Sequence, residues 1–255
     1  MRIDKFFEFV QKDFEPIKSF YIKDELNKKI WDGYKLNPEI RRDLLKIGQD
    51  FFSGVEVETD VIDVVLCGSL CNYNWSEKYS DFDLHIIINH SDVDENKELV
   101  EKFCDYAKKL WNQSHEIKLM DYDVEVAIQD QEDLKNSIKM GKMGGVFSLL
   151  KDEWIKRPEK IEFVPDEELI RSKAETIMSK IDDIENELEE DRYEATEEKL
   201  AKVWKKIKSL RQSGLDSESG ELSIGNLIFK LLRRNGYVAK VMKMRGDAYD
   251  RQFKY

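Results

Sequence analysis

The chain has few cysteines and no long apolar run, the features on which disulfide-rich secreted proteins, zinc-binding domains and membrane proteins depend. Its 255 residues include 3 cysteines, Cys67, Cys71 and Cys104, which form no Cys-x-x-Cys pair and are too few for a disulfide framework or a clustered zinc site. No apolar run approaches the roughly 20 residues that span a membrane. The first residues carry acids among their apolar side chains, unlike a signal peptide. We therefore expect a soluble, cytoplasmic protein without a membrane partner.

Positive charge is also in deficit. Lysine and arginine number 42 against 53 acidic residues, which gives a net charge of −11. This balance disfavours wide, non-specific contact with a nucleic-acid backbone, which requires a basic face, although a local basic groove remains compatible with it. The hydrophobic fraction of 41%, with 5 Trp, 10 Tyr and 13 Phe, is enough for a real core. The many charges therefore indicate a solvated surface rather than disorder.

The most organised part of the sequence runs from Val61 to Asn89. Its first part, Val61 to Cys67, consists mostly of β-branched and large aliphatic residues, which favour a strand buried on both faces. Gly68 and Ser69 end this run. Glycine lets backbone N–H groups approach an anion closely, and a serine hydroxyl can donate to a phosphate oxygen. The turn is therefore a candidate anion-binding element.

A pair of aspartates, Asp81 and Asp83, leads into a second apolar run from Leu84 to Ile88. Residues two apart on a strand share a face, so both carboxylates point the same way while Phe82 points into the core. Neighbouring carboxylates are costly to keep ionised together unless a positive charge lies between them. A hard divalent cation such as Mg²⁺ is the expected partner, because it takes carboxylate and phosphate oxygens.

The order of Gly-Ser, a loop of about a dozen residues, and Asp-apolar-Asp-apolar resembles the signature of the nucleotidyltransferase superfamily typified by DNA polymerase β. The resemblance covers about Val61 to Ile128, and the flanks share only the general plan of that family. It implies a third carboxylate on a nearby strand. It also implies a helix that starts just after the Gly-Ser turn and adds its N-terminal dipole to phosphate binding.

The third carboxylate has two candidates, Asp123 and Glu125. The segment Tyr122 to Ile128 alternates strictly, which predicts a strand with both acids on one face. Glu125 is favoured because it lies deeper in the apolar stretch, where a carboxylate is harder to explain as mere surface. The predicted metal ligands are thus Asp81, Asp83, and Glu125 or Asp123.

The resemblance implies metal-dependent nucleotidyl transfer, in which an acceptor hydroxyl attacks the α-phosphate of a nucleoside triphosphate such as ATP and pyrophosphate leaves. Asp81, Asp83 and the third carboxylate would bind two Mg²⁺ or Mn²⁺ ions, and the third carboxylate can also accept the acceptor's proton. Gly68 and Ser69 would bind the β and γ phosphates. Lys78, in the loop that follows, is a candidate nucleotide contact.

Other side chains of this region have open roles. Tyr73 or Trp75 would stack on the base if their loop reaches the nucleotide. His85 shares the face of Asp81 and Asp83. It is expected either to contact the substrate, to support a metal ligand, or simply to be a hydrogen-bonded strand histidine.

The acceptor is not specified by the sequence. A small molecule, an RNA or other nucleic-acid end, and a protein hydroxyl all fit the chemistry, whereas the acidic composition disfavours extensive duplex binding. The alternative function is a non-catalytic nucleotide-binding or regulatory protein that retains the nucleotidyltransferase fold. Three convergent carboxylates argue against that alternative, because a purely structural role gains nothing from them.

The predicted fold class is α/β (α+β), with a mixed β-sheet nucleotidyltransferase core, helices on one side of the sheet, N-terminal helices and a C-terminal helical domain. Residues 1–158 would form the catalytic domain, with helices within residues 3–30 and from Pro38 to Gly54. Residues 159–255 would form the helical domain, in which two long antiparallel helices meet near Asp191 to Ala195.

Basic residues gather in the second half of the helical domain. They are expected to be solvated helix faces, or else to line a groove that holds the triphosphate or a polynucleotide acceptor. The two clusters are Lys202, Lys205, Lys206, Lys208 and Arg211, and then Lys230, Arg233, Arg234, Lys240, Lys243 and Arg245.

Overall fold

The chain forms two compact units in the computed structural model, which describes residues 14–189, 193–251 and 253. One unit, Tyr21–Phe163, contains a mixed β-sheet with helices, and the other contains residues 14–20 and the C-terminal helices. The predicted α+β class is therefore confirmed. Within the described residues, no helix is both long enough and apolar enough to cross a membrane.

Strands and helices are interspersed along the α/β unit. The strands are β1 (Trp31–Asp32), β2 (Lys35–Leu36), β3 (Asp63–Cys67), β4 (Phe82–Ile88), β5 (Lys118–Leu119), β6 (Tyr122–Asp130), β7 (Val146–Ser148) and β8 (Glu153–Lys156). The α-helices are α1 (Pro38–Val55), α2 (Lys97–Ser114) and α3 (Gln131–Lys139). The periodic segments of the sequence that predict strands around the Gly-Ser turn and the aspartates correspond to β3, β4 and β6.

The sheet is arranged so that β4 lies between β3 and β6. β1 and β2 pair only with each other, and the other strands follow the order β5-β6-β4-β3-β7-β8. β4 and β6 are parallel, whereas the remaining neighbours are antiparallel. All residues of β3 are buried, as expected of an apolar strand that is covered on both faces.

Helices cover both faces of this sheet, which corrects the expectation of helices on one side. α1 contributes Leu44 and Phe51 to a core that includes Leu84 of β4. On the opposite face, Leu134 of α3 is buried in a second cluster with Val65 of β3. The α3 sequence, QEDLKNSIK, has only two large apolar residues, so its periodic signal is weak.

The outer edge of β6 is capped by α2. Asn112 donates from Nδ2 to the carbonyl of Val126 and accepts at Oδ1 from the Val126 N–H, each at 3.2 Å. One side chain thus satisfies both backbone groups of Val126. This residue lies on the edge of β6, which β5 pairs with only at Tyr122 and Asp123. These bonds fix α2 beside the strand that carries Glu125.

The prediction of helices near the N-terminus is wrong for residues 21–30, and its part before residue 14 lies outside the described residues. The segment 21–30 contains bends and turns instead. The carbonyl of Asn27 accepts from the N–H groups of Ile30 and Trp31, and its amide donates to the hydroxyl of Tyr122 at 2.6 Å. The local bonds close a turn, and the bond to Tyr122 ties this turn to a strand 95 positions away.

The helical unit contains α4 (Glu167–Glu189), α5 (Tyr193–Leu215), α6 (Ile224–Arg234) and α7 (Tyr237–Arg251). The two long helices expected from the sequence are α4 and α5, and part of their expected connection lies outside the described residues. Ile181 of α4, Ile207 of α5, Leu231 of α6 and Val241 of α7 are buried. All four helices therefore contribute to the core of this unit.

The boundary between the units differs from the predicted one. It falls after Phe163 instead of after residue 158, and the 3-10 helix Glu15–Phe20 belongs to the helical unit rather than to the catalytic domain. The guanidinium of Arg234 in α6 donates to the carbonyl of Pro16 at 3.3 Å. This bond connects residues 15–20 to the helices, and no local sequence pattern predicts it.

Two glycines of α1 should respond oppositely to substitution. A Cβ on Gly48 would lie 3.0 Å from Cδ1 of Ile86, whereas a Cβ on Gly54 would meet nothing within 4 Å. We expect Gly48→Leu to destabilise the protein by about 1–3 kcal/mol, because the larger side chain overpacks the contact between helix and sheet. Gly54→Ala should stabilise it by about 0.5–1 kcal/mol, because alanine favours a helix and restricts the unfolded chain. Urea unfolding measures both changes, and an unchanged midpoint for Gly48→Leu would contradict the packing of α1 on β4.

Candidate metal and nucleotide site

Three carboxylates converge where β4 and β6 run side by side. Asp83 of β4 is directly paired with Glu125 of β6, and Asp81 is the residue just before the start of β4. One carboxylate oxygen from each of the three lies within 4.8 Å of the others. The two aspartates are partly buried and Glu125 is exposed. The parallel register of two strands therefore assembles the cluster from residues more than 40 positions apart in the chain.

The cluster has the chemistry and the size that a hard divalent cation requires. Mg²⁺ binds oxygen ligands at about 2.0–2.1 Å in octahedral geometry, so opposite ligands lie about 4 Å apart and neighbouring ones closer. Oxygens that already lie within 4.8 Å of one another need only a small movement to reach that geometry. All three ligands are carboxylates, which favours Mg²⁺ or Mn²⁺ over a softer metal.

Gly68 allows the turn after β3 to lie directly against this cluster. Cys67 pairs with Asp83 across β3 and β4, and Gly68 follows with φ of 75°, a conformation that L side chains rarely adopt. A Cβ at this position would overlap the carboxylate of Asp83. Only glycine therefore fits, and the backbone of the turn lies next to a predicted metal ligand.

The turn itself corrects the expectation of a helix after Gly-Ser. Ser69–Cys71 is a single 3-10 turn of three residues, which is too short to supply a helix dipole. The Ser69 hydroxyl lies 2.7 Å from the Ser80 hydroxyl, and Ser80 also accepts from the N–H of Ser76 at 2.9 Å. When Ser80 donates to Ser69, the Ser69 hydrogen remains available for a phosphate oxygen. The serine pair also joins the turn to the residue before Asp81.

Asp123 lies outside the cluster. Its side chain is 65% exposed and forms an ion pair with Lys118 of β5 at 3.3 Å. The alternation of β6 places it on the same face as Glu125, but only Glu125 is paired with Asp83. Of the two candidates for the third carboxylate, the structure brings Glu125 to the aspartates and leaves Asp123 at the sheet edge.

The loop between the turn and Asp81 is held by aromatic side chains. Tyr73 is buried, and its hydroxyl lies 3.0 Å from that of Tyr34. This hydrogen bond, together with burial, raises the pKa of Tyr73 to about 12. Trp75 donates from Nε1 to the carbonyl of Glu25 at 2.9 Å. The buried ring of Tyr73 thus offers no face to a base, contrary to the expectation of stacking there.

Lys78, the predicted nucleotide contact, lies on the outside of this loop. It is exposed, and its ammonium lies 5.3 Å from the centre of the Tyr79 ring. Its loop leads to Asp81 of the carboxylate cluster. Contact of Lys78 with a bound nucleotide stays a prediction.

Cys71, the last residue of this turn, is fully buried. Burial raises the pKa of its thiol well above the ordinary value, and the nearby Cys67 and Asp83 act in the same direction. The group therefore stays protonated near neutral pH, which makes it unsuitable as a nucleophile or a metal ligand.

His85 lies on the carboxylate-bearing face, two residues beyond Asp83. Its Nδ1 lies 2.7 Å from Oε1 of Gln129, a residue of β6. Burial lowers the pKa of His85 and the positive charge of Lys108 adds to this effect, whereas the bond to Gln129 opposes it. The imidazole is therefore neutral near pH 7, with Nδ1–H donating to the Gln129 amide oxygen.

Sequence reasoning did not identify Gln129 and Lys108. Gln129 could have been identified from the sequence, because it continues the two-residue period of Asp123 and Glu125 along β6. Lys108 could not, because it belongs to α2 and approaches His85 only through the packing of that helix against β6. The site thus has a polar extension along β6 beyond the three acids.

Gly68→Ala should disturb the metal site more than a matched substitution elsewhere. Gly141 has φ of 70°, close to the 75° of Gly68, but a Cβ there would meet nothing within 4 Å. Both variants carry the same backbone strain, while only Gly68→Ala displaces the Asp83 carboxylate. We expect Gly68→Ala to weaken Mn²⁺ binding by about 10- to 100-fold, the range found when groups that orient ligands are lost. Calorimetric titration measures this, and equal affinities for both variants would contradict the contact with Asp83.

The third ligand can be identified by two charge-neutralising variants. Glu125→Gln should weaken Mn²⁺ binding by at least about tenfold, because it removes a charged ligand and not merely an outer contact. Asp123→Asn removes the same charge two residues away and should leave the affinity within about twofold, because the two sites interact only through solvent. A larger loss for Asp123→Asn than for Glu125→Gln would reverse the assignment.

Comparison of the chain with protein-family models, with curated proteins and with solved structures found no match. The function of the site is therefore inferred from its own residues and their geometry.

Proposed function

We propose that this protein is a metal-dependent nucleotidyltransferase, which moves a nucleoside monophosphate from a nucleoside triphosphate to an acceptor hydroxyl and releases pyrophosphate. The observation that carries the proposal is the convergence of Asp81, Asp83 and Glu125 beside the Gly68 turn. The sequence resemblance to nucleotidyltransferases supports it, because the motif residues of that resemblance are the ones that meet in space.

The three carboxylates would hold a pair of Mg²⁺ or Mn²⁺ ions. Asp81, just before β4, and Asp83, within it, are positioned to share ions between them, and Glu125 of β6 belongs to the same cluster. Ions bound there would stabilise the attacking and leaving oxygens of an in-line displacement. The protein contributes mainly position and charge rather than covalent chemistry.

The order of the strands supports a proposal for the two sides of the reaction. β4, with both aspartates, lies between β3, which ends at Gly68, and β6, which carries Glu125. The Gly68 and Ser69 turn would bind the β and γ phosphates, on the side from which pyrophosphate leaves. The acceptor would then approach over β6, because attacking and leaving groups lie in line on opposite sides of the α-phosphate.

Glu125 is the member of the cluster suited to meet the acceptor. It is exposed, whereas Asp81 and Asp83 are partly buried. A carboxylate at hydrogen-bond distance from the acceptor hydroxyl can orient it and accept its proton. Gln129, His85 and Lys108 continue along the same side and would contact the rest of the acceptor, which is a small molecule, a nucleic-acid end or a protein hydroxyl.

We further propose a cytoplasmic location, where nucleoside triphosphates such as ATP are consumed. The three cysteines are buried and unbridged, which fits a reducing compartment.

Pyrophosphate release from each of the four ribonucleoside triphosphates, with Mg²⁺ or Mn²⁺ and with RNA and metabolite pools as acceptors, tests the proposal. The double variant Asp81→Asn/Asp83→Asn should lose the activity by at least about 10³-fold, because charge stabilisation of the transition state depends on the bound ions. Asp121→Asn/Asp123→Asn changes the net charge equally at the start of β6 but outside the cluster, and should keep nearly full activity.

Three results would count against this function. Activity that survives in the Asp81→Asn/Asp83→Asn variant would exclude the carboxylates as its source. Metal-dependent nucleotide binding without turnover in any acceptor pool would favour the alternative of a regulatory nucleotide-binding protein. Absence of both binding and turnover would refute the assignment of the motif.

A further inference from the structure

A groove runs between α5 and α7 in the helical unit, and it has no part in the proposed transfer chemistry. Its volume is about 420 Å³. The side chains that line it are Ala201, Trp204, Lys205, Lys208, Ser209 and Gln212 of α5 and Arg245 of α7. The α5 residues recur at helical spacing, so they belong to one face of that helix.

The groove is positively charged although the protein is acidic. Lys205, Lys208 and Arg245 line it, and none of the described residues that line it carries a carboxylate. The whole chain has a net charge of −11, so this absence of acids departs from the general surface. Neither lysine forms an ion pair with another described residue. The cationic groups are therefore available to an anionic ligand.

Aromatic side chains border the same cations. The guanidinium of Arg245 lies 5.6 Å from the centre of the Trp204 ring. One turn further along α7, Tyr249 is 60% exposed, and its ring centre lies 5.3 Å from that of Phe253, which is 59% exposed. Arg245 and Tyr249 are four residues apart, so they lie on one face of α7. Large exposed aromatic rings beside unpaired cations are the combination that binds single-stranded nucleic acids.

We infer that the groove between α5 and α7 binds single-stranded nucleic acid, with phosphates on Lys205, Lys208 and Arg245 and bases stacked on Trp204, Tyr249 and Phe253. Stacking accepts any base, so little sequence preference is expected. A duplex would keep its bases away from the rings and would meet only a short basic surface in an otherwise acidic protein. This inference does not depend on catalysis by the carboxylates.

The charge contribution is tested with labelled 15-residue oligo(U) and oligo(dT) and a duplex of the same length, by fluorescence anisotropy. Lys205→Glu/Arg245→Glu should weaken binding of the single strands by about tenfold or more, because it removes two of three phosphate contacts. The slope of log affinity against log salt concentration should change from about −2 for three contacts to about −0.7 for one. The control Lys206→Glu/Lys243→Glu makes the same charge change on the same two helices but outside the groove lining, and should change affinity by less than about threefold. The two single-strand probes distinguish RNA from DNA.

The aromatic contribution is tested with Tyr249, which is exposed and can be replaced without disturbing the core. Tyr249→Ala should weaken binding by about tenfold, the effect of one lost base stack, whereas Tyr249→Phe should retain it. Circular dichroism confirms that the helices remain formed.

Several outcomes would overturn the inference. These are absence of binding to either single strand at low salt, equal losses for the two charge-reversal pairs, or tighter binding of the duplex. Sedimentation gives one more contradicting outcome. Self-association that Tyr249→Ala abolishes, in a protein that binds no oligonucleotide, would show that the surface around Tyr249 binds a second copy of the chain.

Discussion

The pairing of Asp83 with Glu125 across the parallel strands β4 and β6 is the constraint on which the site depends. It brings carboxylates together with Asp81 within 4.8 Å, where like charges repel. The apolar residues on the reverse side of the same strands resist this repulsion. A slip of one residue in either strand would turn those residues away from α1 and bring acids into the core. Hydrophobic burial on one face of the sheet thus holds the charged cluster together on the other.

The neighbouring elements are organised around this pairing. β3 lies antiparallel to β4, so its C-terminal end brings Gly68 next to Asp83, and the lack of a side chain there allows the turn to approach the carboxylate. On the other side, Asn112 attaches α2 to the edge of β6 and brings Lys108 near His85. In the proposed function, the turn would bind phosphate on one side of the carboxylates, and Gln129, His85 and Lys108 would contact the acceptor on the other. The sequence pattern alone did not give this arrangement, because it names the residues of the site but not the side of the carboxylates on which each of them lies.

Local periodicity was enough to predict the features that depend on short segments. The strands β3, β4 and β6 follow from alternation and apolar content, which the chain carries locally. The preference for Glu125 over Asp123 came from its place further along the same apolar stretch. The turn after Gly68 was not predictable in this way, because its 3-10 form is set by the Ser69–Ser80 contact and by the packing of the loop through Tyr73 and Trp75. Asn27 likewise bonds to Tyr122 across 95 positions, and no segment-level pattern indicates that contact. The groove beside Trp204 arises only when α5 and α7 come together, although the clustering of basic residues there was visible in the sequence.

The measurement that tests the central claim most directly is electron paramagnetic resonance of Mn²⁺ added to the protein with a nucleoside triphosphate analogue whose α,β-bridging oxygen is replaced by methylene. The analogue cannot release pyrophosphate, so the complex is stable during the measurement. A two-metal site is expected to show two bound ions per chain that are magnetically coupled, because ions in such sites lie about 3.5–4 Å apart. The coupling should disappear when Asp83 is replaced by asparagine. A single uncoupled ion whose spectrum is the same in the wild type and in the Asp83→Asn variant would contradict the claim that these carboxylates form the catalytic centre.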